Sequence, residues 1–389
     1  MSTHAVLPNQ RGLFDIPDDV AYLNCAYMSP LMNTVVAAGQ AAVRQKQQPW
    51  NFTLPDFFSV PDQGRELFAR IIGAGMEDIA IVPAVSYGVA VAALNIEIEQ
   101  GQEILLLEDQ FPSNVYSWME KAKVSGARLI TLPRIPSPGG AGAQETWTSR
   151  ILEAIGPQTA VVALPHCHWI DGSLVNLVKV GKAARKAGAA LVLDVTQSAG
   201  AMPIDVKEIQ PDYLVAATYK WLLGPYSLGF LYIAPHRQND RPLEHNWTGR
   251  KGAEDFSRLV DYQQEPAPGV RRFDMGERSQ LHLMPMAVKA MQQILDWGVE
   301  TIAATLTEKT RVIAERAGHL GLQSVSQELR AGHYLGLKFP AGMPADIHEQ
   351  LARRKVHVSM RGDSMRVTPH LYNSEADIDR LFDALEVVL

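Results

Sequence analysis

Two neighbouring stretches decide the fold: LVLDVTQSAG at 191–200 and YLVAATYKWLLGPYSLGFLYIAP at 213–235. Each opens on a short apolar run, the pattern of a strand buried on both faces. The first run ends on Asp194, and Lys220 follows the second, 26 residues after that aspartate. In an open α/β sheet, ligands bind beyond the carboxyl ends of the strands, where both residues are expected. A lysine between Tyr219 and Trp221 in an apolar stretch is unusual, because burying an ammonium is costly. Desolvation lowers a lysine's pKa, which suits Schiff-base chemistry. Taken singly, Asp194 reads as a strand-end carboxylate, and Lys220 as either a snorkelling surface residue or a reactive one.

The same texture extends outward. Short apolar runs at 79–82, 103–107, 128–132, 160–164, 190–194, 213–217 and 229–233 read as strands. Helix-length segments at 86–98, 113–125, 147–155 and 176–187 lie between the earlier ones. This alternation predicts an α/β domain with a largely parallel sheet. Beyond residue 280 the pattern changes. Val288, Met291 and Leu295 recur at helical spacing, and 333–339 and 364–367 read as short strands. Ile378, Leu381, Phe382, Leu385 and Leu389 form one face of a last helix, with Ser374 and Asp377 as its capping box. The expected division is an arm over 1–30, a large domain over 31–279 and a smaller α+β domain over 280–389. The Pro- and Gly-rich run at 133–144 reads as a surface loop.

Composition narrows the function. The 389 residues are 47% hydrophobic and 20% charged, within the globular range, and suffice for a large core. A formal charge of −6 argues against a general nucleic-acid or anionic-membrane binder. Two cysteines, Cys25 and Cys167, exclude a disulfide scaffold and a cysteine-based zinc site. No apolar run is long enough to span a membrane, and the N-terminus has no signal-like apolar core, so a cytoplasmic location is expected. GAG at 73–75 and GGAG at 139–142 lack the full dinucleotide-binding glycine pattern.

DVTQSAGAMPIDV at 194–206, DYLVAATYKWL at 212–222 and the Gly-rich strand that follows resemble the class V aminotransferase family of pyridoxal-phosphate enzymes. That family includes cysteine desulfurases, kynureninases and isopenicillin N epimerase. The likeness runs over roughly residues 20–389. It implies fold type I: a large domain with a mostly parallel seven-stranded sheet and a smaller C-terminal α+β domain. It also implies pyridoxal 5'-phosphate as cofactor, an α-amino-acid substrate, and a homodimer with sites at the interface.

The resemblance assigns roles. Lys220 would hold the cofactor as a Schiff base and later shuttle a proton. Asp194 would pair with the pyridinium nitrogen, making the ring an electron sink. Gln197 would hydrogen-bond the ring's phenolic oxygen. Ser86, with backbone N–H groups near Tyr87 and Gly88, would meet the phosphate at a helix N-terminus. Relatives commonly carry two threonines there, whereas this chain has Val85 and Ser86. Tyr219 and Thr218 are further candidates near the phosphate, and Phe111 is the candidate for stacking on the ring. Arg366, in MRVTPHLYNSEADIDRL at 365–381, would bind the substrate carboxylate through its planar fork. His166, Cys167, His168 and Trp169 are expected on one rim, with His168 and Trp169 on the substrate side. A metal reading of that cluster is weak. Asn24 and Tyr27 are expected at the site rim. RRFDMGERS at 271–279 matches a segment that in relatives reaches the partner subunit's phosphate, with Glu277-Arg278-Ser279 departing from the desulfurase form.

The reaction is less constrained. Desulfurases of the family use a cysteine on a small-domain loop, and 340–365 contains none, which disfavours a persulfide relay. Transamination and Cβ elimination come first. Epimerisation, with His166 or His168 as a second base, and kynureninase-like hydrolysis are alternatives. A catalytically silent protein on the same fold is disfavoured by the intact Asp194, Gln197, Lys220 and Arg366 set.

Overall fold

The computed structural model describes residues 6–135 and 145–389. The GGAG motif and most of the 133–144 loop lie outside the described residues. In chain order the first half runs β1 (Ala21–Tyr22), α1 (Asn33–Lys46), α2 (Leu54–Ile72), β2 (Ile79–Val82), α3 (Val85–Asn95), β3 (Glu103–Leu107), α4 (Tyr116–Ser125), β4 (Arg128–Leu132), α5 (Trp147–Ala154), β5 (Thr159–Pro165), α6 (Leu177–Ala187), β6 (Ala190–Asp194), α7 (Val206–Ile209), β7 (Tyr213–Ala217) and β8 (Gly229–Ile233). The rest comprises α8 (Met284–Trp297), α9 (Val299–His319), β9 (Leu335–Lys338), α10 (Ile347–Arg353), β10 (Val356–His357), β11 (Ser359–Arg361), β12 (Ser364–Val367) and α11 (Glu375–Val388).

The seven runs expected as strands in the first 233 residues form one seven-stranded sheet, in the order β2-β8-β7-β6-β5-β3-β4. Only β8 runs against its neighbours; the other pairings are parallel. The alternation along each strand builds two cores. Leu105, Leu107, Val162, Leu164, Leu191 and Leu193 face one apolar layer, while Ile104, Leu106, Val161, Ala163, Val192 and Val215 face the other. With apolar side chains on both faces, the strands carry none of the polar alternation of a half-exposed sheet.

A three-stranded sheet in the order β11-β12-β9 forms a second centre, packed with α11 and α10. The arm is sewn onto it. Ala21 and Tyr22 pair in parallel with Val356 and His357, and Ala21 and Leu23 enter the same apolar cluster as Leu335, Val367 and Phe382. Ser374 and Asp377 form the capping box expected for α11. The expected apolar face is buried through Leu385, but Leu389 is exposed, because α11 ends at Val388. The expected strand at 333–339 is shorter. β11 went unread because its residues carry no apolar alternation of their own; a turn at Gly362 folds it back on β12. Helices α1 and α2 also went unread. α2 carries Pro61 in its interior, a residue that normally argues against a helix.

The segment 271–279 is anchored through buried charge. Asp274 accepts from the Ile81 backbone N–H at 2.9 Å, and it pairs with Arg65 and, at 3.5 Å, with Arg278. All three side chains are buried, and Arg65 also pairs with Asp62 at 3.2 Å, so the charges tie the segment to α2 and β2. Removing one partner from such a cluster strands the others without water. Asp274→Ala should therefore cost about 3–5 kcal/mol, read as a lowered urea midpoint. An unchanged midpoint would show that the cluster does not hold the fold.

Candidate active site

Five strand ends converge. Ser86, Phe111, Trp169, Asp194 and Lys220 lie at or just beyond the carboxyl ends of β2, β3, β5, β6 and β7, and all line one cavity of about 270 Å3. The chain order of the sheet reverses at β3, which sits between β5 and β4. A crevice opens where connections leave to opposite faces, and that is where α/β sheets bind ligands.

Lys220 is only 6% exposed. Its Nζ lies 5.2 Å from the Phe111 ring centre and 5.4 Å from that of Tyr219. Burial pushes its pKa down to about 8, with Asp194 opposing and Arg366 and Arg361 reinforcing the shift. Asp194 is held by the Thr196 N–H at 3.0 Å. Burial raises its carboxyl above the ordinary value, against the hydrogen bonds of Thr196 and the charge of Lys220. The two loops carrying these residues touch at Gly200. Its φ is +93°, and a Cβ there would lie 2.6 Å from the Trp221 carbonyl oxygen, so a larger residue does not fit.

The cavity's far end is the N-terminus of α3. Gly88 lets this helix settle on the sheet, since a Cβ there would come within 2.8 Å of Val215. The N–H groups of Val85 and Ser86 make no hydrogen bond among the described residues, as expected of a first helical turn. Ser86 and Val85 line the cavity as the helix register requires. Tyr87 does not. Its N–H and that of Gly88 go to the Ala84 carbonyl, and its side chain packs in the sheet's apolar layer with Glu244 and Asp274 nearby. Thr218 is likewise corrected. It is fully buried, and its hydroxyl closes the Lys220 loop on the carbonyls of Pro225 at 2.5 Å and Leu228 at 3.1 Å. Tyr219 lines the cavity as expected.

On the small-sheet side, Arg366 is 1% exposed. Its Nε and Nη2 donate to Ser359 Oγ at 2.9 and 2.7 Å, and its Nη1 to the Trp169 carbonyl at 3.1 Å and Tyr334 Oη at 3.2 Å. Its guanidinium carbon lies 5.5 Å from the Trp169 ring centre. Among the described residues no carboxylate reaches it as an ion pair. Asn24 is buried rather than at the rim, and its Oδ1 accepts from Ser359 Oγ at 2.9 Å, fixing the hydroxyl that holds Arg366. Tyr27 is exposed, near Tyr219 and Arg361.

His168 is the main correction. It is fully buried, stacked on Trp147, with Nε2 3.0 Å from the Glu108 carbonyl oxygen, so it braces β5 against β3 and does not line the cavity. His166 turns to Ser198 at 3.1 Å and to a separate cleft, and burial pushes its pKa down to about 4. Trp169 alone of that run lines the cavity; its Nε1 donates to the Asp109 carbonyl, and its ring meets Phe111 edge-on at 5.4 Å. Gln197 lines the cavity, with its amide already engaged: Nε2 donates to the Ala26 carbonyl at 3.1 Å, and Oε1 accepts from Trp221 Nε1 at 2.9 Å. Cys25 and Cys167 are both fully buried, and burial pushes both thiols up. Thr196, Ser359 and Tyr334 were not anticipated. Thr196 was open to reading as the Asp194 turn partner, since Asp side chains bond the backbone two residues on. Ser359 and Tyr334 reach Arg366 only through strand pairing and loop packing.

The Aminotransferase class-V family model matches residues 55–381. The chain is 26% identical to an isopenicillin N epimerase of Streptomyces clavuligerus, over 88% of this chain and 87% of that protein. It is 26% identical to a kynureninase of Deinococcus radiodurans, over 78% and 72%. Among solved structures it resembles a cysteine desulfurase of Thermococcus onnurineus NA1, with a TM-score of 0.83 at 19% identity over 99% of each chain. It also resembles the cystine C-S lyase C-DES in complex with cysteine persulfide, with a TM-score of 0.83 at 20% identity over 95% and 97%.

A buried amine with its pKa near 8 is neutral, and so nucleophilic, from about pH 8 upward. Imine formation between the cofactor-free chain and an aromatic aldehyde, trapped by reduction and read on the Lys220 peptide, should rise with pH through about 8 and then level. A rise centred near the ordinary lysine value of about 10.4 would contradict the desolvation argument.

Proposed function

The chain belongs to the class-V aminotransferase family of pyridoxal-phosphate-dependent enzymes, and on that premise we propose that its cavity processes an α-amino acid by transamination or Cβ elimination. The observation that supports this most is the meeting of a desolvated lysine, a buried aspartate, an aromatic face and an open helix N-terminus in one cavity. This donor set fits pyridoxal 5'-phosphate. When bound, the cofactor supplies an electron sink for the carbanion at the substrate Cα.

The chain's own residues divide the work. Lys220 would hold the cofactor through its amine and, when free, would move the substrate's Cα proton. Around its lowered pKa of about 8, a large share of the free amine is neutral and able to accept that proton. Asp194 keeps a proton on the ring nitrogen through its charge. Phe111 would cover the cofactor ring, and Gln197 would offer it the one amide N–H not given to Ala26. The N–H groups of Val85 and Ser86, the Ser86 hydroxyl and Tyr219 would hold the phosphate, favoured by the positive end of α3. Arg366, held by Ser359 and lacking an acidic partner among the described residues, takes the substrate α-carboxylate. Trp169 walls the substrate side, with Tyr27 at the mouth.

Single-base chemistry is favoured over epimerisation. The two histidines expected as a second base are turned away from the cavity, His166 to Ser198 and His168 to the Glu108 carbonyl. A persulfide relay is disfavoured too, since both thiols are buried and protonated.

The proposal extends to the assembly. We take the chain to work as a homodimer in the cytoplasm, with neither nucleic acid nor membrane as partner. Exposed apolar side chains on and beside α1 (Val36, Val43, Trp50) and in the 256–262 loop (Phe256, Val260, Tyr262) support a paired surface. No helix among the described residues is long and apolar enough to cross a membrane. We keep the division into an arm (1–30), a large domain (31–279) and a small domain (280–389), noting that α8 shares its apolar cluster with α2.

Lys220→Ala should shift the visible absorbance of the lysine-bound cofactor to that of the free aldehyde and abolish turnover; near-normal turnover would sink the assignment. Arg366→Ala should leave that absorbance in place and weaken amino-acid binding by about 2–5 kcal/mol, measured by spectral titration. An unchanged affinity would place the carboxylate site elsewhere.

A further inference from the structure

We propose that Arg361 recognises a second carboxylate, so that the substrate is an acidic amino acid. The proposal deepens the reading of the cavity given above and rests on it.

The strand register places two arginines together. On the β11–β12 hairpin, Ser359 stands opposite Arg366 and Arg361 stands opposite Ser364. Residues two apart on a strand share a face, so Arg361 and Arg366 are diagonal neighbours on the same side of the sheet. Their guanidinium carbons lie 5.6 Å and 5.5 Å from the centre of one ring, that of Trp169, which itself walls the cavity. Trp169 is locked by its Nε1 bond to the Asp109 carbonyl, so both cations are aimed against a fixed surface.

Neither has an acidic partner among the described residues. Among the described residues, the one hydrogen bond from the Arg361 guanidinium goes to the Met360 carbonyl at 2.6 Å. Asp363, the nearest acid in sequence, is turned to Arg134 at 3.6 Å and Lys338 at 3.4 Å. Three cations (Lys220, Arg361 and Arg366) therefore act on this region, and Asp194 is the one carboxylate whose charge counterbalances Lys220 there. Burial and the neighbouring Arg366 both work against the Arg361 charge. A monocarboxylate substrate would engage Arg366 and leave Arg361 partly buried and unpaired. A side-chain carboxylate would relieve it, and the planar guanidinium fork matches that group in two parallel hydrogen bonds. The alternative, both arginines on one α-carboxylate, uses the same charges but predicts no preference between acidic and neutral side chains.

The experiment is a spectral titration of the cofactor-loaded enzyme with aspartate, glutamate and 2-aminoadipate, each against an uncharged counterpart: asparagine, glutamine and norleucine. The wild type should bind at least one acidic member roughly tenfold or more tightly than its counterpart. Arg361→Gln should abolish that preference while leaving affinity for the neutral amino acids within about twofold, and Arg361→Lys should retain part of it. Equal weakening for acidic and neutral ligands, or no acidic preference in the wild type, would overturn the proposal while leaving the cofactor site intact. A protein that shows no visible cofactor band would overturn the underlying reading and this one with it.

Discussion

Lys220 must be kept almost dry and still reachable, and the shape of the site follows from that demand. A fully buried ammonium is costly unless it is paired or neutral. Here burial lowers the pKa of the amine to about 8, and Asp194 offsets part of the shift. The surrounding loops carry the consequences. Thr218 closes the lysine loop on its own carbonyls, and Gly200 lets the aspartate loop press against the backbone of Trp221. Gln197 joins that contact to the N-terminal arm through Trp221 and Ala26.

The sheet accounts for the geometry without further assumptions. Parallel strands end on one edge, so residues far apart in the chain arrive together at that edge. Ser86, Phe111, Trp169, Asp194 and Lys220 are separated by many residues yet share one cavity. The small sheet adds the two arginines, Arg361 and Arg366, proposed to meet a substrate's carboxylates. Its arm-to-β10 pairing brings Asn24 to Ser359, and Ser359 in turn fixes Arg366.

The large sheet was legible because its signal is local. Runs such as LVLD and YLVAA are apolar on both faces and bounded by turns, and all seven were readable one at a time. Asp194 and Lys220 stood out for the same reason, since one closes its strand and the other follows its strand closely, whereas Phe111 was a candidate only through the family resemblance. The misreadings share an opposite cause. His168, Thr218 and Tyr87 stand at the right chain positions, but a side chain one residue out of phase points into the core, and phase depends on packing that spacing does not encode. Arg361 was missed because its significance lies in a hairpin register and in the absence of an acid. Neither is visible in a single stretch of residues.

The central claim is that one lysine, and no other, carries the cofactor. Reducing the cofactor-loaded protein with borohydride and mapping its peptides by mass tests it most directly. The account predicts a single pyridoxyl addition, on the peptide containing Lys220. An addition on another lysine, or none on a protein that holds the cofactor, would contradict it.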